Sequence, residues 1–332
     1  MKRFLLKNAI RGERIWDRLK PSGKTDSPYI DPFIGYASPE GLHVRGRVLN
    51  GSPVADLPAD SSRWSNFRNM IARFITREIP DIEVVVDGLS TTTDEEGYFA
   101  IDVPAGNDEK TVVEARLPGH EASASLPVVI PDEKARFGII SDVDDTLIRT
   151  DAWSLKRNIY NTLTGNVESR QVFPDSVAFL QALHDGVNPV FYISSSPWNL
   201  HAFLVEIFRR NDLIHGPLFL RDLGISEDKF IKGSHGEHKG NMIDKVLDAN
   251  PSLRFVLIGD TGQHDPEIYH AAVARHPDRF LATWFRVAGR EVDARDRRWI
   301  EEIRCLGVEA HATDEFEAYR AARLVENQLQ GS

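Results

Sequence analysis

Phe137-Gly138-Ile139-Ile140-Ser141-Asp142-Val143-Asp144-Asp145-Thr146 starts as a short apolar run and ends in three carboxylates and a hydroxyl. A short apolar run with no helical spacing reads as a buried strand, here Phe137–Ser141. Three more such runs follow at Val190–Ile193, Phe255–Ile258 and Phe280–Trp284. Helical stretches fit between them at 175–185, 197–211 and 240–249. Strands alternating with helices predict an α/β unit, a parallel sheet covered on both faces. Ligands of such sheets bind at the carboxyl ends of the strands, so the residues that end each run are the candidates for function.

The first run ends in Asp142, Asp144 and Thr146. A calcium loop of the EF-hand type would need Gly at its sixth position and Glu at its twelfth. Those positions hold Leu147 and Trp153, which excludes it. The second run leads into Ser194-Ser195-Ser196-Pro197, where Ser196 before Pro197 reads as an N-cap and proline in the first helical turn. A helix start preceded by hydroxyls is a ready anion site, although ordinary capping would use the same residues. The third run enters Gly259-Asp260-Thr261-Gly262-Gln263-His264-Asp265, two carboxylates with four residues between them. Just upstream, His238-Lys239-Gly240 opens the preceding helix and directs Lys239 toward the same strand ends.

The chain before this point reads differently. Leu42–Val48 alternates apolar and polar residues, and Ile82–Val86, Tyr98–Val103 and Thr111–Leu117 are further strand candidates. Asp94-Glu95-Glu96-Gly97 supplies turn chemistry before Tyr98. A helix is expected among them, because Trp64, Phe67, Ile71, Phe74 and Ile75 recur at helical spacing. The pattern predicts a small β-sandwich-like domain over 36–131, a basic N-terminal helix and linker over 1–35, and the α/β domain over 136–325.

The net charge is −10, with hydrophobic residues at 41% of the 332. Residues 1–24 carry +6, so the remainder carries −16. An acidic body argues against a nucleic-acid-binding core. Within residues 2–19, Leu5, Ala9, Gly12, Trp16 and Leu19 mark one helical face, and Arg3, Lys7, Arg11, Arg14 and Arg18 mark the opposite one. Such a helix can lie on an anionic membrane surface, or dock on the protein with its basic face solvated. No apolar run approaches the roughly 18 residues of a membrane span. Cys305 is the only cysteine, which rules out an intrachain disulfide. A cytoplasmic protein, peripheral at most to a membrane, is expected.

Acid, hydroxyl, lysine and acid, in that order and each at a strand end or adjoining helix start, resemble the four-motif pattern of the haloacid dehalogenase superfamily over about 136–310. Three stretches are more particular: Ser141–Leu147, Ser195–Trp198 and Leu257–Tyr269. They resemble the phosphatidate phosphatase catalytic domain family, known from a fungal actin-patch-associated enzyme and bacterial relatives. The resemblance implies a three-layer α/β/α fold of the haloacid dehalogenase type and a Mg2+-dependent phosphatase acting on a phospholipid. It implies Asp142 as nucleophile and Asp144 as general acid and base. Ser194 and Lys239 would bind phosphate, with Lys232 as the alternative lysine. Asp142, the backbone carbonyl of Asp144, and Asp260 would hold magnesium, with Asp265 a further ligand or an acceptor behind the ligands. Only about 45 residues separate the first two motifs, which leaves little room for a large lid and favours a substrate presented on something larger. Two other readings stay open: a phosphatase of a phosphoprotein or phosphosugar, and a non-catalytic phosphate- or lipid-binding module. The pairing of Asp142 with Asp144 speaks against the module, which has no use for an acid–base residue.

Overall fold

The computed structural model describes residues 27–50, 77–104, 110–149, 172–221, 235–287 and 291–330. The basic segment 2–19, the helix expected around Trp64–Ile75 and Lys232 lie outside them.

Two sheets organise the described chain. The first contains β1 (Pro28–Pro32), β2 (Gly35–Ser38), β3 (Gly41–Asn50), β4 (Arg77–Glu78), β5 (Glu83–Val86), β6 (Leu89–Thr92), β7 (Tyr98–Pro104), β8 (Val112–Arg116) and β9 (Ser123–Val129). Its pairings are antiparallel except for β2 with β9. In β8 only Val113 and Ala115 point inward, the period-two burial of a strand with one wet face. Ile30, Val44, Val48, Phe99 and Val103 from β1, β3 and β7 share one core with Val84, Val86, Val113, Ala115, Leu126 and Val128 from β5, β8 and β9. The turn before β7 forms as its residues predict. Asp94 Oδ1 accepts from the backbone N–H groups of Glu96 and Tyr98. Gly97 takes φ 79°, and a Cβ there would meet the Val48 carbonyl oxygen at 2.6 Å.

The second sheet is parallel throughout, in the order β12-β11-β10-β13-β14-β15. Its strands are β10 (Gly138–Asp142), β11 (Val190–Pro197), β12 (Leu218–Arg221), β13 (Phe255–Asp260), β14 (Phe280–Arg286) and β15 (Glu309–Thr313). Every residue of β10 and of β13 is buried, as the unbroken apolar runs require of strands covered on both faces. The helices are α1 (Pro174–His184), α2 (His201–Arg210), α3 (His235–Ala249), α4 (Asp265–Arg275), α5 (Ala294–Cys305) and α6 (Ala318–Gln330). Phe179 of α1, Leu204 of α2 and Ala321 of α6 pack with Ile139 and Val256 on one face. Ile243 of α3, Ala272 of α4 and Ile300 of α5 pack with Ile140 and Leu257 on the other. The α/β class and the three layers are therefore present. The chain starts in the middle at β10, builds outward through β11 and β12, then crosses back to β13 on the other side. The crevice between the ends of β10 and β13 is the switch point where such sheets bind ligands.

One local expectation is corrected. Ser196 does not cap a helix. β11 runs on to Pro197, which pairs with Arg221 of β12. A 3-10 turn at Trp198–Leu200 intervenes, and α2 begins at His201 behind Leu200, which makes no side-chain cap bond. The serine hydroxyls are consumed elsewhere, by Asp144.

The two sheets meet near that turn. The ring of Phe33, between β1 and β2, stacks on His201 at 3.7 Å and on Trp198 at 5.5 Å. Tyr36 of β2 packs on Phe219 of β12 at 5.3 Å.

Candidate active site

Asp142 is the last residue of β10 and is 1% exposed. The chain turns sharply after it. Asp145 takes φ 60°, in the left-handed region that Asp tolerates better than most residues. Leu147 and Ile148 both donate backbone bonds to the Val143 carbonyl. This turn brings Thr146 back, and its Oγ1 donates to Asp142 Oδ2 at 3.0 Å. Asp144 lies in the same turn, with Oδ2 accepting from Ser194 Oγ at 2.7 Å and Ser196 Oγ at 2.8 Å. Asp144 Oδ1 is buried without a protein partner.

Lys239 lies in the second turn of α3 rather than at its start, since α3 begins at His235. Its buried ammonium sits 2.8 Å from Asp142 Oδ1 and 2.6 Å from Asp265 Oδ1. Burial opposes its charge, but the carboxylates of Asp142, Asp265 and Asp260 more than offset this and hold its pKa above the ordinary lysine value. Asp265 opens α4, and its Oδ2 accepts from the backbone N–H of Asp260 at 3.2 Å. Gly259 makes that approach possible, because a Cβ there would stand 2.5 Å from Asp265 Oδ2.

The structure thus brings Asp142, Asp144, Ser194, Lys239, Asp260 and Asp265 together at the ends of β10, β11 and β13, the second turn of α3 and the first turn of α4. The contacts differ in detail from the sequence reading. Ser194 is engaged with Asp144, and the Asp144 carbonyl accepts from Gln263 Nε2 at 3.0 Å.

Electrostatics shows what this cluster can hold. Burial, with help from Asp265 and Asp144, pushes Asp142 up to about 8 despite Lys239. Burial and the neighbouring Asp265 and Asp142 hold Asp260 well above the carboxylate range. Carboxyl oxygens of Asp142, Asp260 and Asp265 lie within 4.8 Å of one another, and Asp260 Oδ2 is buried without a protein partner. One lysine cannot neutralise three buried carboxylates. A hard divalent cation with oxygen ligands fits this donor set. Asp260, whose Oδ2 has no protein partner, is the best placed ligand, since both oxygens of Asp142 are engaged by Lys239 and Thr146 and both oxygens of Asp265 by Lys239 and the Asp260 amide.

Sequence reasoning missed Ser196, Gln263 and Arg286. Arg286 ends β14 and is 5% exposed. It donates to the carbonyls of Thr146 and Asp314 and to Ser176 Oγ, and pairs with Asp175. An arginine ending an apolar strand followed the same strand-end logic as Asp142 and Asp260. The strand expectation stopped two residues short of it, at Trp284.

Fold and site define an α/β protein with a lysine-clamped acidic cluster at the switch point of a parallel sheet. Residues 137–287 match the family model for the catalytic domain of phosphatidate phosphatase APP1, so the resemblance drawn from the three motif stretches is shown. Phosphatidate phosphatase APP1 of Saccharomyces cerevisiae is 26% identical over 255 residues, 70% of this chain and 43% of that protein. An uncharacterized protein of Schizosaccharomyces pombe is 25% identical over 215 residues, 61% of this chain and 35% of that one. The chain therefore spans less than half the length of these relatives. A chain of the Pnkp1/Rnl/Hen1 complex superposes with a TM-score of 0.34 and 13% identity, covering 61% of this chain and 58% of that one, too low a likeness to bear on the fold.

Proposed function

We propose that this protein is a magnesium-dependent phosphatidate phosphatase, releasing phosphate and diacylglycerol through an aspartyl-phosphate. The observation that carries the reading is the pairing of Asp142 with Lys239 beside Asp260 and Asp265, with Asp144 two residues along the same turn. The similarity of residues 137–287 to the catalytic domain of phosphatidate phosphatase APP1 supports the substrate class. The parallel sheet is read as a haloacid dehalogenase-type domain over 136–325, and the first sheet, whose strands already begin at Pro28, as the sandwich-like domain expected over 36–131.

In this mechanism a carboxylate oxygen of Asp142 attacks phosphorus in line and the bond to the leaving alkoxide breaks. Asp144 gives the alkoxide a proton. It then takes one from the water that hydrolyses the phosphorylated Asp142. Ser194 and Ser196, which hold Asp144 Oδ2, leave Oδ1 as the oxygen that carries this proton. Lys239 places a fixed positive charge beside Asp142, where the phosphoryl oxygens arrive. Magnesium, held by Asp142 and Asp260 with Asp265 behind or beside them, would supply neutralisation of the phosphoryl charge.

No described helix is long and apolar enough to cross a membrane. Access to a bilayer lipid is assigned to the basic residues within 2–19, which the sequence alone reads as one face of a helix, in a protein that is cytoplasmic and peripheral at the membrane. The deciding experiment measures phosphate release from dioctanoyl phosphatidate, a phosphopeptide and a sugar phosphate, with magnesium or excess chelator. Magnesium-dependent release, fastest from phosphatidate, is expected. No release from any of the three, or release indifferent to chelator, refutes the proposal.

A further inference from the structure

A cavity of about 970 Å³ lies between the first sheet and the β11–β12 edge of the second. Among the described residues, three permanent cations line it, Arg45 of β3, Arg221 of β12 and Lys245 of α3, against one carboxylate, Asp102 of β7. That carboxylate is committed to His43, whose Nδ1 stands 2.6 Å from its Oδ1. A net positive lining is conspicuous in a chain whose net charge is −10.

Among the described residues, neither Arg45 nor Lys245 has a carboxylate within ion-pairing distance. Each lies over an aromatic face instead, Arg45 at 5.2 Å from the Trp198 ring and Lys245 at 5.9 Å from the Tyr36 ring. Such contacts orient a cation but leave its charge largely uncompensated. The two cations also act on each other. Burial first, and then Arg45, push the Lys245 ammonium below its ordinary pKa, and Asp102 offsets this only in part. An anion between them would relieve their mutual repulsion.

The cavity is tied to the acidic cluster by two short segments. His238 lines the cavity, and the next residue, Lys239, reaches Asp142. Trp198 lines it too, two residues after Ser196, which donates to Asp144.

We propose that this cavity is an anion subsite, in which Arg45 and Lys245 hold a second oxyanion group beside the phosphomonoester under attack. The inference rests on the phosphatase reading for what occupies the acidic cluster. The second oxyanion belongs either to the same substrate molecule, on its leaving group, or to a separate anion. It makes the enzyme favour doubly anionic substrates, or anion-rich surroundings, over an isolated phosphomonoester.

The test compares hexyl phosphate with hexanediyl bisphosphate on the full chain. It uses wild type, the double variant Arg45→Glu/Lys245→Glu, and a control reversal, Arg298→Glu, on the exposed side of α5. If the anion is part of the substrate, wild type shows a KM for the bisphosphate lower by about tenfold, the worth of one charge-assisted hydrogen bond. If it is separate, inorganic sulfate lowers the KM for hexyl phosphate by a similar factor. In either case the double variant loses the effect, while Arg298→Glu keeps it. Identical behaviour of wild type and double variant toward both esters and sulfate overturns the subsite, as does an equal loss in Arg298→Glu. Calorimetric titration with the bisphosphate separates this failure from failure of the phosphatase reading. If wild type hydrolyses neither ester, nor dioctanoyl phosphatidate, that reading falls, yet binding to wild type and not to the double variant still establishes the subsite. No binding to either refutes it.

Discussion

Arg286 Nε donates to the backbone carbonyl of Thr146 at 3.1 Å, across 140 residues of sequence. The contact ties the end of β14 to the turn that carries the acidic cluster. Thr146 in turn donates to Asp142 Oδ2. Ser176 Oγ of α1 donates to the same Thr146 carbonyl and accepts from Arg286. One guanidinium thus joins α1, β14 and the segment before α6 around the turn. Its faces are covered by Phe173 at 4.0 Å and Phe316 at 4.6 Å.

Removing this clamp should cost stability and alignment together. Arg286→Ala leaves the half-buried Asp175 without its cationic partner and removes one of the two donors to the Thr146 carbonyl. A loss of about 3 kcal/mol is expected, in the range for breaking a buried pair. Arg286→Lys keeps the charge but not the planar fork, so it should recover less than half of that loss. In the folded lysine variant kcat should fall while KM changes little, because Asp142 is misplaced and the substrate site is not. Denaturant melts and steady-state kinetics on both variants check this. Full activity and stability in Arg286→Lys would show that the fork is immaterial.

Asp142→Asn should fold and fail to turn over, with kcat reduced by at least about 10³-fold, as when a nucleophile is removed. Asp144→Asn should behave differently. It should still allow phosphorylation of Asp142 by esters with good leaving groups, which need little protonation, and then stall at hydrolysis. Rapid-quench detection of phosphoenzyme distinguishes the two. Equal losses for good and poor leaving groups in Asp144→Asn would remove its acid role.

Magnesium should stabilise the fold as well as support activity. A cation that binds only the native cluster raises the melting temperature with concentration, adding about 2.7 kcal/mol at one hundred times its Kd. Asp260→Asn removes a carboxylate whose buried Oδ2 has no protein partner, so it should abolish the magnesium-induced shift. In the absence of metal the same variant should melt no lower than wild type, because it relieves repulsion with Asp265 and Asp142. A magnesium shift of undiminished size in Asp260→Asn would place the metal elsewhere.

How much was legible in the sequence follows from the range of each interaction. β10 and β13 are buried on both faces, so their apolar runs are unbroken, and the first charge to appear marks the strand end. That made Asp142 and Asp260 readable without a partner in view. Ser194 and Ser196 were harder. A Ser-Pro step serves a helix cap or a strand end equally well, and the acceptor that decides, Asp144, lies about fifty residues away. Arg286 depends on Thr146, Asp175 and Asp314 at once, a convergence that local pattern does not register. Lys239 was found because its helix leads directly into β13, and its contact with Asp265 spans only a helix and a strand.

The junction of the two sheets makes a prediction about acid. His201 opens α2, is 6% exposed, and its Nδ1 has no protein partner. Phe33 covers its ring. Burial lowers its pKa to about 3, against 6.5 for an exposed histidine. The positive end of the helix dipole disfavours a cation there as well. Protons therefore bind the unfolded chain first. The stability that the neutral ring contributes is complete above about pH 6.5 and is lost as pH falls toward 3, at up to about 1.4 kcal/mol per pH unit. Carboxylates also shape acid unfolding, so the useful quantity is the difference between wild type and His201→Phe, which keeps an aromatic ring on Phe33 and cannot titrate. That difference should be small at pH 7.5 and should shift in favour of the variant by at least about 1 kcal/mol at pH 5. Denaturant unfolding at four pH values between these limits measures it. Stability curves that run parallel across the range would mean that His201 takes up its proton equally in the folded and unfolded states, so that burial does not hold it neutral.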